Sequence, residues 1–267
     1  MKGLLIDSTK CMGCRSCQVA CKEWNELPAE KTKFFGGAGY QNPANLSDKT
    51  WTLITFNEFE QKDGNIKWVY GKRQCMHCYK PACDSVCPVS AMKKTDNGPV
   101  VYDADLCLGC RYCELACPFD VPRFEWKSLV PEITKCNLCA DRVDAGKETS
   151  CAKSCPTGAI IFGNRDDLFK EAEKRIKNEP DKYINHIYGK NEAGGTSVIH
   201  ISDVPIDKLG HRTDVLKVSY ASLTKPAMAS IPFVLTGLGV ALGGLAWIVN
   251  RKIQIQQQGE VSNDNNE

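Results

Sequence analysis

The sequence predicts an α+β fold in which one small module is inserted within another, followed by a single C-terminal transmembrane helix. Three observations predict this arrangement. Sixteen cysteines among 267 residues fall into four short motifs. Hairpin patterns lie between the motifs, and residues 227–249 contain no charged side chain. The composition is otherwise that of a globular protein, with 25% charged residues and a formal charge of +2.

The third motif has the spacing Cys107-x2-Cys110-x2-Cys113-x3-Cys117, and Pro118 follows it. This spacing places three thiolates on one turning backbone, as a [4Fe-4S] cluster requires. The fourth cysteine lies about one helical turn further on, and in two-cluster ferredoxins it binds the neighbouring cluster. The motif therefore predicts that the chain contains a partner motif.

The chain contains three such partners. They are Cys11-x2-Cys14-x2-Cys17-x3-Cys21, Cys75-x2-Cys78-x4-Cys83-x3-Cys87 and Cys136-x2-Cys139-x11-Cys151-x3-Cys155. A strand pattern precedes the first motif at residues 4–7, and another follows the fourth at residues 157–162. The second and third motifs, joined through Asn97-Gly98, already complete a unit, so we infer an inner ferredoxin module inserted within a split outer one.

The predicted domains follow from this nesting. Residues 1–34 and 127–165 form the outer split ferredoxin module, 35–74 a loop and β-hairpin insert, 75–126 the inner ferredoxin module, 166–225 a helix and C-terminal extension, 226–250 the transmembrane helix, and 251–267 a disordered tail. Within them, residues 51–59 and 66–70, and 91–94 and 99–102, are predicted hairpin strands. Residues 167–178 are a predicted helix with Leu168, Ala172 and Ile176 on one face, capped by Asn164 or Asp166. Residues 198–201 are a predicted strand, and residues 183–222 suggest no function.

The C-terminal apolar run is long enough to cross a bilayer. At 1.5 Å per residue, residues 227–249 span roughly 35 Å. Lys225 and Arg251 bracket the run, and Trp247 lies near one end, as an interfacial aromatic residue would. Gly239 and Gly243 have the GxxxG spacing at which another helix can approach closely. A buried core helix is the alternative, but such helices seldom run this far without a charge.

Zinc and disulfides are the alternative uses of the cysteines. Zinc sites use paired C-x2-C knuckles, whereas three consecutive cysteines with Cys-Pro closures are typical of iron–sulfur clusters. Disulfide scaffolds belong to small secreted domains, and this chain is long. His77 lies within the second motif, which already has its four cysteines, so we expect hydrogen bonding or subunit contact rather than ligation. His186, His200 and His211 are interpreted as ordinary polar residues.

Bound clusters would change the charge of the chain. Four thiolates around a core of about 2+ leave roughly −2 per cluster, so four clusters would lower the total from +2 to roughly −6. Basic residues close to the motifs are expected to compensate: Lys10, Arg15, Lys22, Arg73, Lys80, Arg111, Arg123, Lys135 and Arg142. They are dispersed, so we predict no nucleic-acid partner. Trp24, Trp51, Trp68 and Trp126 are expected to pack around the clusters.

The sequence predicts no catalytic residue. It contains no nucleophile with a matching base, no Gly-rich phosphate loop and no open metal position. The prediction is an electron relay of four [4Fe-4S] clusters in series, anchored to a membrane. A soluble ferredoxin-like carrier and a zinc-stabilised scaffold protein are the alternatives, and the anchor speaks against the first.

The chain resembles the iron–sulfur β subunits of the molybdopterin oxidoreductases and membrane hydrogenases. Within that group it is most similar to the β subunit of the membrane-bound respiratory formate dehydrogenases. The resemblance depends on residues 17–25, 42–52, 117–123 and 135–143, and on Gly194-Gly195-Thr196 with the single C-terminal helix. It therefore covers nearly the whole chain.

The resemblance implies the ligands of each cluster. One cluster takes Cys11, Cys14, Cys17 and Cys155; a second takes Cys21, Cys136, Cys139 and Cys151; a third takes Cys75, Cys78, Cys83 and Cys117; and a fourth takes Cys87, Cys107, Cys110 and Cys113. It also implies a molybdopterin catalytic α subunit carrying molybdenum or tungsten as electron donor. The acceptor would be a cytochrome b-type membrane γ subunit that reduces quinone in anaerobic respiration. The alternative donors are a hydrogenase or a sulfur-compound reductase.

The location of the iron–sulfur domain also follows from the resemblance. Relatives with this arrangement lie on the periplasmic or outer face and are exported folded with the α subunit. Residues 1–11 hold only the short apolar run Leu4-Leu5-Ile6, so we expect export to depend on a partner's signal. Charges flanking the helix do not decide its orientation, because the positive-inside rule weakens beside a large domain.

Overall fold

The computed structural model describes residues 1–32, 40–61, 63–126 and 132–264. The predicted loop at residues 35–39 lies outside these described residues. The chain divides into two compact units, Met1–Ala221 and Ser222–Glu267. Both helices and strands occur in the first unit, as the predicted α+β class requires.

A three-stranded sheet is centred on the N-terminal strand. β1 (Lys2–Asp7) pairs antiparallel with β8 (Ile160–Asn164) and parallel with β9 (Val198–Ile201). Leu4, Leu5 and Ile6 are at most 3% exposed, because both faces of the strand are covered. The predicted strands at residues 4–7 and 198–201 are confirmed.

One face of this sheet is covered by α6 (Arg165–Asn178). Leu168, Ala172 and Ile176 are buried on it, as their helical spacing predicts, and they pack with Leu5. Asn164 precedes the helix but makes no side-chain capping bond to the backbone; its Nδ2 donates to Asp167 Oδ2 at 3.3 Å instead. Leu4 and Ile6 point to the opposite face, toward a larger core that includes four cysteines.

Three two-stranded hairpins complete the strands. β2 (Leu53–Glu60) pairs with β3 (Ile66–Arg73), and β4 (Met92–Lys94) pairs with β5 (Val100–Tyr102), which confirms both predicted hairpins. The third pair, β6 (Arg123–Phe124) and β7 (Ile133–Thr134), is not predicted from the sequence. The short helices are α1 (Ser16–Trp24), α2 (Ala82–Ser85), α3 (Tyr112–Leu115), α4 (Ala140–Asp144) and α5 (Ser150–Lys153).

Residues 183–222, for which the sequence suggests no function, tie the N-terminal strand to the second cysteine motif. Ser197 N–H donates to the His77 carbonyl at 3.0 Å, and Val198 N–H donates to the Met76 carbonyl at 3.1 Å. Leu4 N–H donates to the Ser197 carbonyl at 2.9 Å. The segment also contains two 3₁₀ helices, Glu192–Gly194 and Ile206–Leu209.

The second unit is formed by a long helix, α7 (Tyr220–Asp264). Within it, Ala229–Ile255 is long and apolar enough to cross a membrane, with mean hydropathy 1.9. Where the sequence predicts a disordered tail from residue 251, the helix continues to Asp264, so that prediction is wrong for 251–264. The physical reason is that extending an existing helix adds one hydrogen bond per residue without a new nucleation cost.

Candidate iron–sulfur centres

All sixteen cysteines lie in the described part of the chain as free thiols. Most are buried or half-buried, whereas Cys14 and Cys110 are exposed. Among the described residues, no three His, Cys, Asp or Glu side chains converge closely enough to hold a single metal ion. The cysteines are instead arranged in four wider groups.

One backbone turn recurs in all four motifs. The residue before the second cysteine has a positive φ in each: Gly13 at 71°, His77 at 48°, Gly109 at 67° and Leu138 at 56°. This turn directs the N–H group back toward the first cysteine. Gly109 donates to Cys107 Sγ and Leu138 to Cys136 Sγ, both at 3.4 Å. For a residue with a Cβ the left-handed region costs roughly 1–2 kcal/mol, so the backbone is strained at His77 and Leu138.

A second turn recurs after each Cys-Pro pair. Ser90, Asp120 and Gly158 lie three residues after the fourth cysteine, and their φ angles are 55°, 51° and 63°. Each donates its N–H to the carbonyl of that cysteine. Burial raises the pKa of Cys117, to about 11, although the backbone N–H groups of Val121 and Phe119 oppose the rise. The Cys-Pro turn thus aims backbone dipoles at a sulfur.

The same helix pairing occurs twice. α1 carries Cys17 and Cys21 and packs against α5, which carries Cys151. Ser150 Oγ fastens the pair by donating to the Ala20 carbonyl at 2.9 Å. α2 packs against α3 in the same way, and these helices carry Cys83 and Cys113. Each pairing brings cysteines from two distant motifs together.

Four cysteines from the first and fourth motifs surround one small cavity of about 20 Å³. We call them group A: Cys11, Cys14, Cys17 and Cys155. Ile6, Tyr70 and Lys72 also line this cavity. Burial raises the pKa of Cys11, and its proximity to Cys155 and Cys14 raises it further.

A second set joins the first and fourth motifs. We call it group B: Cys21, Cys136, Cys139 and Cys151. Cys136 interacts electrostatically with the other three members. Sulfur contacts come from Ser150 N–H to Cys139 and from the Thr149 hydroxyl to Cys151, both at 3.4 Å.

The second and third motifs contribute two further sets. Group C is Cys75, Cys78, Cys83 and Cys117. The four remaining cysteines, Cys87, Cys107, Cys110 and Cys113, are called group D. Cys78 interacts electrostatically with the other three members of group C. In group D, Cys113 interacts with Cys107 and Cys110, and Cys87 packs against an apolar core that contains both Cys113 and Cys83 of group C.

The groups also interact with one another in a fixed order. Cys17 of group A interacts with Cys151 of group B. Cys136 of group B interacts with Cys75 of group C. Cys113 of group D interacts with Cys83 of group C. The four groups therefore adjoin as a row from A through B and C to D.

Burial favours the protonated form of several of the thiols when no cation balances them. It raises the pKa to about 12 in four of them: Cys17, Cys21, Cys83 and Cys113. Cys155 differs, because N–H groups of Ile160, Thr157 and Ala159 and the Thr157 hydroxyl outweigh its burial and lower its pKa. A cage of this kind ionises when a metal displaces the protons, so the donor set fits an iron–sulfur cluster.

His77 organises the second motif through hydrogen bonds, as predicted. It is fully buried, and its Nδ1 accepts from Val100 N–H at 2.9 Å. The interpretation of His200 and His211 as ordinary polar residues is wrong: their rings lie 4.4 Å apart, and both Nε2 atoms are buried without a hydrogen-bond partner in the described structure. His186 is exposed and contacts Glu192 Oε1 at 3.0 Å.

Two of the four tryptophans predicted to pack around the clusters, Trp126 and Trp24, stack on arginines that lie within the cysteine motifs. Trp126 is 67% exposed, and the Arg111 guanidinium lies 4.0 Å from its ring centroid. Trp24 is 41% exposed and stacks in the same way on Arg142, at 4.4 Å. Trp51 packs against the larger core that contains cysteines, as expected, whereas the rings of Trp24 and Trp126 remain open to solvent and are stabilised by cation–π contact.

Comparison with known proteins identifies the family. Two models of a 4Fe-4S dicluster domain match residues 10–91 and 66–165. The nitrate-inducible formate dehydrogenase iron-sulfur subunit of Escherichia coli K12 is 41% identical over 200 residues, covering 74% of this chain and 66% of that protein. The formate dehydrogenase iron-sulfur subunit of Haemophilus influenzae is 38% identical over 255 residues, covering 91% and 76%.

A hydrogenase-related protein is similarly close. The hydrogenase-2 operon protein HybA of Escherichia coli O157:H7 is 38% identical over 240 residues, covering 78% of this chain and 71% of that protein. The chain thus spans about two thirds to three quarters of the length of these relatives. The predicted 4Fe-4S chemistry and the resemblance to formate dehydrogenase are confirmed. This chain belongs to the family of 4Fe-4S electron-transfer subunits that includes the formate dehydrogenase iron-sulfur subunits and HybA.

Proposed function

We propose that groups A, B, C and D each hold one [4Fe-4S] cluster, so that the chain carries four. Three features support this ligand assignment. Each group contains four thiols, each draws its cysteines from two motifs, and backbone N–H groups point at sulfurs in the same way in several motifs. When bound, such clusters accept and release one electron each. In this assignment the outer ferredoxin module holds groups A and B, and the inner module holds groups C and D.

The row formed by the four groups is the observation that carries the proposal. Electron transfer over the length of a protein needs successive sites that lie close together, and the electrostatic interactions between cysteines of groups A and B, B and C, and C and D support such an arrangement. The chain's own residues do three things. Cysteines hold the clusters, buried apolar side chains exclude water, and N–H groups stabilise the sulfur charge.

The partners follow from the family. We propose that a molybdopterin catalytic α subunit, carrying molybdenum or tungsten, oxidises formate and delivers electrons to this chain. A cytochrome b-type membrane γ subunit would receive them and reduce quinone in anaerobic respiration. The chain would have no catalytic site of its own. Support comes from relatives at 38–41% identity that are named as formate dehydrogenase iron-sulfur subunits.

We further propose that α7 anchors the chain in a membrane. Ala229–Ile255 has the length and hydropathy for this role, and Gly239 and Gly243 have open space around their Cα atoms, where another helix can approach. The iron–sulfur domain would lie on the periplasmic face and be exported with the α subunit.

Metal analysis of the full chain, purified without oxygen, tests the cluster assignment. Four clusters require about sixteen iron atoms and as many acid-labile sulfides per chain. A brown preparation with this content is expected. A colourless preparation that contains zinc and lacks sulfide would contradict the proposal and favour the zinc-stabilised scaffold instead.

A second candidate differs only in the electron donor. Similarity to HybA favours a hydrogenase partner. The two candidates separate when the complex with its co-purifying large subunit receives either formate or hydrogen. Formate is expected to bleach the visible absorption of the clusters, and hydrogen is not. Bleaching by hydrogen alone would assign the chain to a hydrogenase.

A further inference from the structure

Lys72 is a buried cation with no anionic side chain beside it. It lies on β3 and is 2% exposed. Its Nζ donates to Thr52 Oγ1 and to Gln74 Oε1, which are both neutral acceptors. In the described ranges it forms no ion pair with a carboxylate. Burying an ammonium group is costly unless an anion lies close, and these two oxygens satisfy its hydrogens but not its charge.

Cysteine sulfurs of two different groups lie near Lys72 and can balance its charge once a bound cluster has ionised them. Lys72 lines the cavity that all four cysteines of group A surround. It also interacts electrostatically with Cys151, Cys136 and Cys21 of group B, and with Cys17 of group A. One ammonium group is therefore shared between two neighbouring sites.

Strand geometry separates Lys72 from the adjacent cation. Successive side chains on a strand point to opposite faces, so Arg73 points away from the cavity. Its Nη1 donates to Asn45 Oδ1 at 2.8 Å instead. Lys72 and Arg73 thus carry the same charge at neighbouring positions, but only Lys72 faces the sulfurs.

We propose that the Lys72 ammonium sets the reduction potentials of groups A and B together. This inference rests on the proposed function, since it requires clusters at both groups. Reduction adds one electron to a cluster and neither makes nor breaks a bond. A fixed positive charge nearby stabilises that electron and raises the potential. Lys72 therefore holds both sites above the potential that they would have beside a neutral side chain.

Lys94, a half-buried lysine, lies beside group C and provides a positional control. Lys94 Nζ donates to the His77 carbonyl at 3.2 Å and to the Gly98 carbonyl at 2.5 Å. Its electrostatic cysteine partners are Cys75 and Cys78. Replacement of Lys94 should therefore change a cluster that replacement of Lys72 leaves alone.

Redox titration of the anaerobically purified full chain, followed by electron paramagnetic resonance, tests this inference. In Lys72→Met, the ratio of reduced to oxidised cluster at a fixed potential should fall about tenfold at two sites, which is ~59 mV for a one-electron couple. Arg73→Met removes the same charge from the other face and should change every ratio less than about twofold. Lys94→Met should shift a third site that Lys72→Met does not affect.

Several results would overturn the inference. These are an unchanged titration in Lys72→Met, an equal shift of all four sites, and an equal shift in Arg73→Met. If Lys72→Met loses iron, Lys72→Gln, which keeps polar atoms near Thr52 and Gln74, carries the same prediction. Loss of two clusters in both variants would mean that the charge serves assembly, and the inference would fail. The wild-type iron and sulfide content tests the proposed function separately.

Discussion

The sheet built on β1 and the inner module at residues 75–126 are both small units of strand and helix, but different residues fill their cores. The core between the sheet and α6, which we call the sheet–helix core, contains Leu5, Leu168, Ala172, Ile176, Tyr183, Ile187, Ile199 and Ile201. The core of the inner module, which we call the inner core, contains Cys83, Met92, Val100, Cys113 and Phe124, together with Ile133 from the adjoining outer segment. The first has no cysteine, whereas two of the six residues in the second are cysteines.

The two regions therefore differ in what they need in order to fold. The sheet–helix core contains no cysteine, so we expect its hydrogen bonds to stay protected without metal. The inner module has strands of two or three residues and too little apolar area to stabilise them, as expected of very small units. Its stability must come from the clusters, because metal binding and folding are then one process.

Iron removal should produce the largest difference between the two regions. After anaerobic chelation, amide hydrogens of β4 and β5 should exchange at the rate of an unfolded chain. Those of β1 and α6 should remain at least about a hundredfold slower. Hydrogen exchange followed by mass spectrometry measures both regions in one sample. Equal loss of protection in the two regions would show that the sheet–helix core also depends on the clusters.

Replacing a cysteine that one motif contributes to the cluster of another motif should remove that cluster and leave the neighbouring cluster in place. Cys117 follows α3, beside Cys113, but belongs to group C, so Cys117→Ser should disturb group C and leave group D intact. Cys113→Ser is the matched control and should disturb group D. Iron content should fall by about four atoms in each variant, and electron paramagnetic resonance should show the loss of different signals. Loss of the group D signal alone in Cys117→Ser would contradict the shared-ligand scheme.

Local spacing explains why the cysteine motifs and the hairpins were predictable. Three cysteines with two residues between each pair share one turn, Asn97-Gly98 suits a tight turn, and the spacing of Leu168, Ala172 and Ile176 defines a helix face. All these signals lie within a few residues of one another. The structure adds the long-range pairing of β1 with β9, which no local pattern of residues 198–201 could indicate.

Backbone strain and the phase of a strand explain the features of the site that could not be predicted from the sequence. Glycine marks the recurring left-handed position in two motifs, but His77 and Leu138 occupy it in the others, and neither residue type signals a positive φ. Sequence proximity suggested Arg73 as a compensating charge, whereas the phase of β3 turns Lys72 toward the sulfurs. A single sequence does not reveal that phase when both residues are basic.

A buried ion pair offers a smaller test confined to the sheet–helix region. Asp7 is fully buried and accepts from Arg175 Nη1 at 2.8 Å, Tyr183 Oη at 2.9 Å and Thr9 Oγ1 at 2.6 Å. Asp7→Asn removes the buried anion beside Arg175, whose only remaining carboxylate partner among the described residues is the half-exposed Glu171 at 2.7 Å, so the free energy of unfolding should fall by about 2 kcal/mol. Urea denaturation of the iron-loaded protein measures this change, and iron content should stay the same.

An exposed ion pair that also involves a residue of α6 is the control for that test. Glu173 on α6 contacts Lys190 at 2.8 Å, and both side chains are about half exposed, at 55% and 50%. Glu173→Gln should change the free energy of unfolding by less than about 1 kcal/mol. If Asp7→Asn lost iron as readily as Cys113→Ser, the two regions would not be energetically separate.

The smallest expected effect compares the loss of one methylene from each core. Ile199 in the sheet–helix core and Ile133 in the inner core are both 1% exposed, so Ile→Val should cost about 1 kcal/mol at either position. The consequence should differ. Ile199→Val should lower the urea midpoint without changing the rate at which a chelator removes iron. Ile133→Val should speed iron release about fivefold, because the inner module opens when its clusters leave. Equal release rates in the two variants would mean that both cores share one opening step, and the contrast between the regions would then be one of composition alone.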